Sequence, residues 1–326
     1  MEHLDQHTEG RLLQALRDGR FASGTVLGQT LGIGRAGVGR AVDRLRQAGL
    51  RVDAVRGRGY RIPGGYTPLD PGALREAWRH SGAPEPILFE CLYRPNSTNE
   101  YAMQAGGRGT GVVFAEGQGA GRGRLGRTWS SPLGNLYLSV VHDFDALAEA
   151  PAPLALAVAV AIAEGLRRHC VPVTVKWPND LLVAGRKVGG ILTELRGDPL
   201  GPCRVVVGVG INRTVPNMPV PGRLPAGAIG EAELPGLGRS SLAGLVGGWV
   251  AVAAARFGSH GLKPFLDHWP ALDALDGRSV RLETGEGRGV AGVARGIDEQ
   301  GRLRVQTERG LQSFASGEAH LAQEVA

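Results

Sequence analysis

Apolar positions fall in three different rhythms along the chain. In the first sixty residues they come in short helical groups. Leu12, Leu13, Ala15 and Leu16 mark one helix, Asp18-Gly19 breaks it, and Ser23 is placed to cap a second helix through Leu31. A third helix is expected from Arg35 to Ala48, with Val38, Ala41, Val42 and Leu45 on one face and Arg35, Arg40 and Arg44 on or near the other. Gly49 ends it. Val52 to Val55 and Tyr60 to Ile62 then read as two short strands around a tip carrying Arg56 and Arg58. Helices followed by a basic hairpin form a winged helix-turn-helix pattern, whose third helix would read DNA and whose wing would reach a minor groove. A small helical domain used for protein contacts fits the same pattern. Gly34, Gly37 and Gly39 weaken the third helix by up to about 1 kcal/mol each relative to Ala, and Gly34 lacks a capping hydroxyl, which points to weak DNA binding or none.

Pro63 to Pro68 is a linker by composition, and an α+β rhythm follows it. A helix is expected near Pro71 to His80, a strand near Ile87 to Tyr93, and a helix opened by Asn96-Ser-Thr-Asn99. Val171 to Trp177 alternates as a half-buried strand ending at Lys176. Leu181 to Val183 and Lys187 to Leu195 read as a hairpin, and Arg204 to Ile211 as a further strand. Gly189, Gly190, Gly208 and Gly210 interrupt these strands, for which close approach of a ligand or another backbone is a reason. From about Leu275 short strands alternate with Thr-Gly-Glu-Gly, Asp-Glu-Gln-Gly and Glu-Arg-Gly turns, the spacing of a small antiparallel barrel packed against its neighbour. The expected domains are residues 1–66, 67–273 and 274–326.

Composition adds a division of charge. Of the net +6, residues 1–66 hold +5, from eleven Arg against six Asp or Glu, leaving +1 for the rest. A polyanion partner is thus expected for the first domain specifically. The longest apolar run, Pro151 to Ala163, falls short of the roughly 18 to 20 residues of a spanning helix and reads as a buried one. No membrane partner is expected. Met-Glu-His-Leu-Asp is acidic and unlike a signal peptide, and Cys91, Cys170 and Cys203 are scattered thiols without a C-x-x-C pair. A reducing, cytoplasmic setting follows, with no protein metal site.

Candidate chemistry concentrates in Gly117 to Trp129. Five glycines let the backbone approach a ligand, and Arg122, Arg124 and Arg127 offer guanidinium forks to phosphate or carboxylate oxygens. Such a loop is expected to be mobile until filled, although a solvated surface loop has the same composition. Gly121, Gly123 and Gly126 satisfy the dinucleotide fingerprint, but a turn and a strand follow where that fold needs a helix. Ser97 or Asn96 serves either as a helix cap or, with Thr98 and Asn99, as a hydrogen-bonding socket for a small polar ring. Lys176, before the rigid Pro178 and the Asn179-Asp180 pair, is either a solvated strand residue or a fixed ammonium for charge developing on a phosphoryl or acyl oxygen.

Together, Ser97-Thr-Asn99, Gly121-Arg-Gly-Arg124 with Trp129 and Ser131-Pro132, Lys176-Trp-Pro-Asn-Asp180, Gly185-Arg-Lys-Val-Gly-Gly-Ile-Leu192 and Gly208-Val-Gly-Ile-Asn212 resemble the bifunctional biotin protein ligases that also act as biotin operon repressors. The resemblance covers nearly the whole chain. It implies a winged helix domain, a central α+β ligase domain with a mixed or antiparallel sheet, and a C-terminal SH3-like barrel. It implies that biotin and ATP, with Mg2+, form biotinyl-5′-adenylate, and that biotin passes to a lysine of a biotin carboxyl carrier protein. It implies catalytic roles for Lys176, Arg122 and Arg124; a biotin site of Ser97, Thr98, Asn99, Gln118, Arg122, Gly123, Arg124, Lys176 and Gly190; and a nucleotide site of Arg122, Arg124, Lys176, Asn179 and Asn212. It further implies a ligand-bound homodimer on operator DNA, contacted by Arg35, Arg40, Arg44, Arg56 and Arg58. A lipoate protein ligase resembles the fold and reaction without the winged helix, and a ligand-sensing repressor without ligase activity is a further alternative. The chain departs from the family's pattern at Asn96, Leu125 and Ala322, and Asn212 to Gly248 holds no aromatic residue to stack on adenine.

Overall fold

The computed structural model describes residues 7–215, 224–230, 232–283 and 289–321, so Ala322, part of the segment after Asn212 and the Thr-Gly-Glu-Gly turn at 284–287 lie outside the described residues. The first domain comprises α1 (Thr8–Ala15), α2 (Gly24–Leu31), α3 (Arg35–Gln47), β1 (Asp53–Val55) and β2 (Gly59–Arg61). Ser23 caps α2 as expected, accepting the Val26 N–H at 3.2 Å, while Gly34 opens α3 with no side-chain cap. Leu12, Leu16, Leu27, Val38, Val42, Leu45 and Ile62 form the core of this domain, and Tyr93 and Leu133 of the central domain complete it. The linker is tied down on both sides: Tyr66 donates its N–H to the Arg17 carbonyl at 3.0 Å and its hydroxyl to Glu116.

The central domain begins with α4 (Pro71–His80), capped by Asp70, which accepts the Ala73 N–H at 2.7 Å. Its seven-stranded sheet contains β3 (Leu88–Leu92), β4 (Thr110–Ala115), β5 (Leu136–Phe144), β6 (Val173–Lys176), β7 (Asp180–Val183), β8 (Arg186–Gly197) and β9 (Cys203–Ile211). The order is β3-β4-β5-β9-β8-β7-β6; β3 and β4 are parallel and every other pair is antiparallel. The mixed sheet and the β7–β8 hairpin match the expectation. Between β4 and β5 the chain makes only a short 3-10 turn at Arg124–Gly126, which removes the dinucleotide fold.

Helices cover the sheet unequally. On one face α6 (Leu154–Arg168) and α7 (Arg239–His260) pack with α4 over the strands. The apolar run at Pro151 to Ala163 is the buried helix expected of it. Alternating character missed α7, whose 22 residues are long and apolar enough to cross a membrane by length and composition, yet 67% of its apolar window is buried within the protein. Its glycines are packing glycines: a Cβ on Gly244 would lie 2.8 Å from that of Ala77, and one on Gly248 would overlap Ser81. Among the described residues the opposite face carries only the short α5 (Thr98–Gln104), over Leu92, Val113, Val141 and Val206. That thin cover leaves the other end of the face open for a cavity.

The C-terminal domain is an antiparallel sheet of β10 (Ser279–Glu283), β11 (Gly289–Ile297), β12 (Leu303–Thr307), β13 (Gly310–Phe314) and β14 (Glu318–Leu321), ordered β13-β12-β11-β10-β14. It packs against the central domain, as its small size requires. Val280, Leu282, Leu303 and Val305 join the central core, and the Trp177 indole donates to the Gly301 carbonyl at 2.9 Å.

Candidate active site

One cavity of about 970 Å3 lies between the glycine-rich loop, the ends of β6 to β9 and the start of β14. Ser97, Thr98, Asn99, Gln118, Arg122, Gly123, Arg124, Lys176, Asn179, Gly190 and Asn212 all line it, so every residue expected at the biotin and nucleotide sites meets in one place.

At its inner end is a polar socket. Ser97 begins α5 without a side-chain cap bond, so its buried hydroxyl is not committed to the helix. Gln118 does that work instead, accepting the Thr98 N–H at 2.9 Å and passing its own amide hydrogen to Ser131 Oγ at 2.9 Å. Asn99 donates to Glu194 at 2.7 Å and accepts from Ser139 Oγ at 2.6 Å. Buried polar groups held this way keep fixed orientations, which a small polar ring requires for recognition. Of the strand glycines, Gly208 and Gly210 make room for side chains, whereas a Cβ on Gly189 would stand 2.8 Å from the Gly210 carbonyl oxygen, another backbone. A Cβ on Gly208 would overlap the Asn99 amide, and one on Gly210 would stand 2.6 Å from Trp129 Nε1. Gly121 is needed in the same way, for a Cβ there would lie 2.5 Å from the Trp129 carbonyl oxygen.

The outer end is cationic. Lys176 is only 5% exposed and stands at the end of β6, in register with Asp180. Arg122 reaches Glu194 at 3.0 Å and Arg124 reaches Asn179 at 3.2 Å, with Asn179 anchored to the Ile191 carbonyl. Burial pulls the Arg124 pKa below its ordinary value, yet a guanidinium stays charged at neutral pH. Arg122 and Arg124 thus tie the loop to β8 and to the turn before β7. Arg127 also lines the cavity, with its fork paired with Glu318 of the C-terminal domain, one of the two bonds being 2.6 Å. Burial alone would raise the Glu318 carboxyl, but Arg127 outweighs it and holds the group below the usual range.

Several lining or supporting groups were not singled out from sequence. Lys187 lines the cavity, pairs with Asp180 at 2.6 Å and lies 5.4 Å above the centre of Trp129. It sits inside the Gly185 to Leu192 motif, so that motif was the available signal. Ser139 and Glu194 were legible only as polar interruptions in apolar strands.

The first domain's basic surface is less uniform. Arg35, Arg40 and Arg56 are exposed and, among the described residues, have no carboxylate partner. Arg44 is instead paired with the buried Glu9, and Arg58 stacks on Phe21 at 4.2 Å. These two residues are therefore partly held within the domain.

Three family models match the chain: the biotin/lipoate A/B protein ligase family over residues 89–212, the biotin protein ligase C terminal domain over 277–321 and an HTH domain over 9–61. The bifunctional ligase/repressor BirA of Escherichia coli (strain K12) is 35% identical over 319 residues, covering 95% of this chain and 96% of that protein. The biotin–[acetyl-CoA-carboxylase] ligase of Paracoccus denitrificans is 32% identical over 239 residues, 70% of this chain and 98% of its own. Among solved structures, the biotin protein ligase from Aquifex aeolicus in complex with biotin and ATP is 28% identical, with a TM-score of 0.58, covering 72% of this chain and 98% of that one. The chain belongs to the biotin protein ligase family.

Proposed function

From that membership we infer that the protein is an ATP-dependent biotin ligase and a biotin-responsive repressor. The observation that carries the ligase reading is the junction of a buried polar socket with a cluster of cations in one cavity. The socket of Ser97, Thr98, Asn99 and Gln118 holds the biotin ring. Its carboxylate then lies toward Arg122, Arg124 and Lys176, with Lys187 nearby. One carboxylate oxygen attacks the α-phosphorus of ATP, pyrophosphate leaves, and biotinyl-5′-adenylate forms. The neutral amine of an acceptor lysine, on a biotin carboxyl carrier protein, next attacks the acyl carbon; AMP departs and the amine's proton is lost. In both steps charge develops on oxygen, and preorganised cations stabilise it. Asn179 and Asn212 belong to the nucleotide end, where the Asn212 side-chain oxygen has no hydrogen-bond partner among the described residues.

Mg2+ favours one or two carboxylates together with substrate phosphates. Asp180 and Glu318 are the cavity's carboxylates, and among the described residues no three His, Cys, Asp or Glu cluster as a metal site. The set therefore suits a metal that arrives with the nucleotide and neutralises its phosphate charge. The three cysteines are free thiols, which supports a reducing, cytoplasmic setting.

The deciding assay combines purified protein, ATP and Mg2+ with biotin or lipoate, reading pyrophosphate release and the mass of a carrier domain. Turnover with biotin is expected. Turnover with lipoate alone would replace the reading by a lipoate ligase, and biotin binding without turnover would leave a ligand-sensing repressor. The repressor half rests on the winged helix and its basic face. A biotin-dependent, salt-sensitive mobility shift on a biotin-gene promoter, by a dimer, is its expected signature. A shift that needs no ligand and prefers no sequence would remove it.

A further inference from the structure

Behind the cavity, away from the ligand-facing groups, lies a buried polar cluster that the reaction does not use. Glu116 is wholly buried at the end of β4, immediately before the glycine-rich loop. Its partner Arg239 is the first residue of α7, with a side chain only 9% exposed, and donates to Glu116 at 2.6 Å. Arg239 also donates to the Asn135 carbonyl at 3.2 Å. Asn135 is itself fully buried, and its side-chain oxygen accepts the N–H groups of Arg213 at 2.8 Å and Thr214 at 2.9 Å, just after Asn212. Tyr66 of the linker completes the cluster: its hydroxyl donates to Glu116, and Arg239 stacks over its ring at 5.3 Å.

The cluster thus touches three segments that share no sequence neighbourhood. One is the start of the loop bearing Gln118, Arg122 and Arg124. The second is the chain leaving Asn212 at the nucleotide end. The third is the linker to the winged helix domain, which also meets the far end of the loop through the Leu133 N–H on the Ala48 carbonyl at 3.1 Å. A buried ion pair is a weak source of net stability, because desolvation offsets its attraction. It is well suited to fixing one geometry, since either partner left alone is penalised.

We propose that Glu116 and Arg239 are positioning residues for the ligase reaction, holding the biotin loop and the nucleotide-end segment in one mutual geometry, and that Tyr66 makes this geometry depend on the docked winged helix domain. The proposal rests on the ligase reading above. Neither Glu116 nor Arg239 needs to touch a substrate. Their loss should therefore appear in binding of both substrates at once with kcat per site little changed, whereas removing a contact shared by both sites, such as Lys176, also slows the reaction itself.

The experiment uses the full chain. Biotin affinity is measured by calorimetry, and KM for ATP and kcat by pyrophosphate release, with kcat expressed per titrated active site. Arg239→Met should raise the biotin Kd and the KM for ATP each by roughly tenfold, with kcat per site changed less than about threefold, as expected when a charged hydrogen-bonding group is lost outside the reacting atoms. Arg239→Lys, which keeps the charge but not the fork, should fall between wild type and Arg239→Met. Tyr66→Phe removes one hydroxyl and keeps the ring, and should weaken biotin binding by about threefold. A merely structural cluster would lower melting temperature and the titrated fraction while leaving Kd and KM of the folded fraction at wild-type values, and that result overturns the proposal. If Arg239→Met does not fold, Tyr66→Phe decides alone, and an unchanged biotin Kd and KM for ATP rejects it. Wild-type protein that binds no biotin would instead sink the ligase reading, so the two failures are distinguishable.

Discussion

The cavity and the third helix of the winged domain are both rich in Arg and Gly, and they use them in opposite ways. In the cavity each loop arginine already has a partner: Arg122 with Glu194, Arg124 with Asn179, Arg127 with Glu318. The glycines there are demanded by neighbours, since Gly121, Gly208 and Gly210 each leave space that a side chain or carbonyl fills. On α3, by contrast, Arg35 and Arg40 project into solvent, Gly34 has no atom within 4 Å of where a Cβ would stand, and Gly39 has only the Tyr60 hydroxyl at 4.0 Å. One region holds its arginines and glycines by packing. The other leaves its arginine side chains in solvent, so a nucleic acid contacting them would have to fix them, at a cost in conformational entropy. Composition cannot separate these cases, because the difference lies in what packs against each residue.

The largest effect expected is in the organised region. Lys176→Ala should slow adenylate formation by two or more orders of magnitude, about 3 kcal/mol or more, the scale of losing one donor aimed at developing charge. Single-turnover pyrophosphate release measures it. An unchanged rate would move the role to Lys187, the other lysine of the cavity.

Next comes Gly208→Ala. The added methyl would collide with the Asn99 amide, which is fixed by Ser139 and Glu194. Overpacking of this kind costs about 1–3 kcal/mol. Denaturant unfolding should show that loss, and calorimetry should show weaker biotin binding through the displaced socket. A neutral outcome would mean that Gly208 leaves space which nothing requires, as Gly39 of α3 does.

How far the sequence anticipates the structure follows the same line. Caps, hairpins and strand alternation are local, so Ser23 on α2, the β7–β8 turn and the direct passage from glycine-rich loop to β5 were readable from neighbouring residues. Five motifs in order brought the cavity's residues together, and all of them line it. Partners were not readable. Arg127 meets Glu318 across 191 positions and Arg239 meets Glu116 across 123, and no periodicity encodes such pairings. The apolar length of α7 is hidden because its glycines and small residues break the run, and those glycines are explained by packing: Gly244 and Gly248 against α4 and its C-cap, Gly258 against Phe144.

A smaller effect is expected where the C-terminal domain latches onto the loop. Glu318 has a folded-state pKa held below its usual value by Arg127, so its contribution is present above the unfolded carboxyl pKa of 4.5 and is lost as pH falls through the folded value. Both side chains are about 30% exposed, and solvent screening limits the pair to about 1 kcal/mol or less. Melting temperatures of wild type and Glu318→Gln should therefore differ at pH 7 and converge as pH drops below about 4.5, the reference carboxyl value. Parallel curves across that range would show that the latch carries no stability.

The smallest effect is on α3, and its sign tests the comparison most directly. Gly39 lies inside the helix, where Ala is favoured by up to about 1 kcal/mol and where the Tyr60 hydroxyl at 4.0 Å leaves room for a methyl. Gly39→Ala should therefore raise the thermal stability of the first domain, which neighbouring side chains give no reason to oppose. DNA affinity, followed by mobility shift at stated salt, then separates two causes for the glycine. If affinity rises or holds, the glycine is only a weak helix residue, and the open surface loses part of its ordering cost when the helix is improved. If affinity falls while stability rises, the missing side chain is what lets the helix backbone approach a phosphate, and the glycines of α3 are then as necessary as those of the cavity, with the nucleic acid taking the place that Asn99 and Trp129 occupy there.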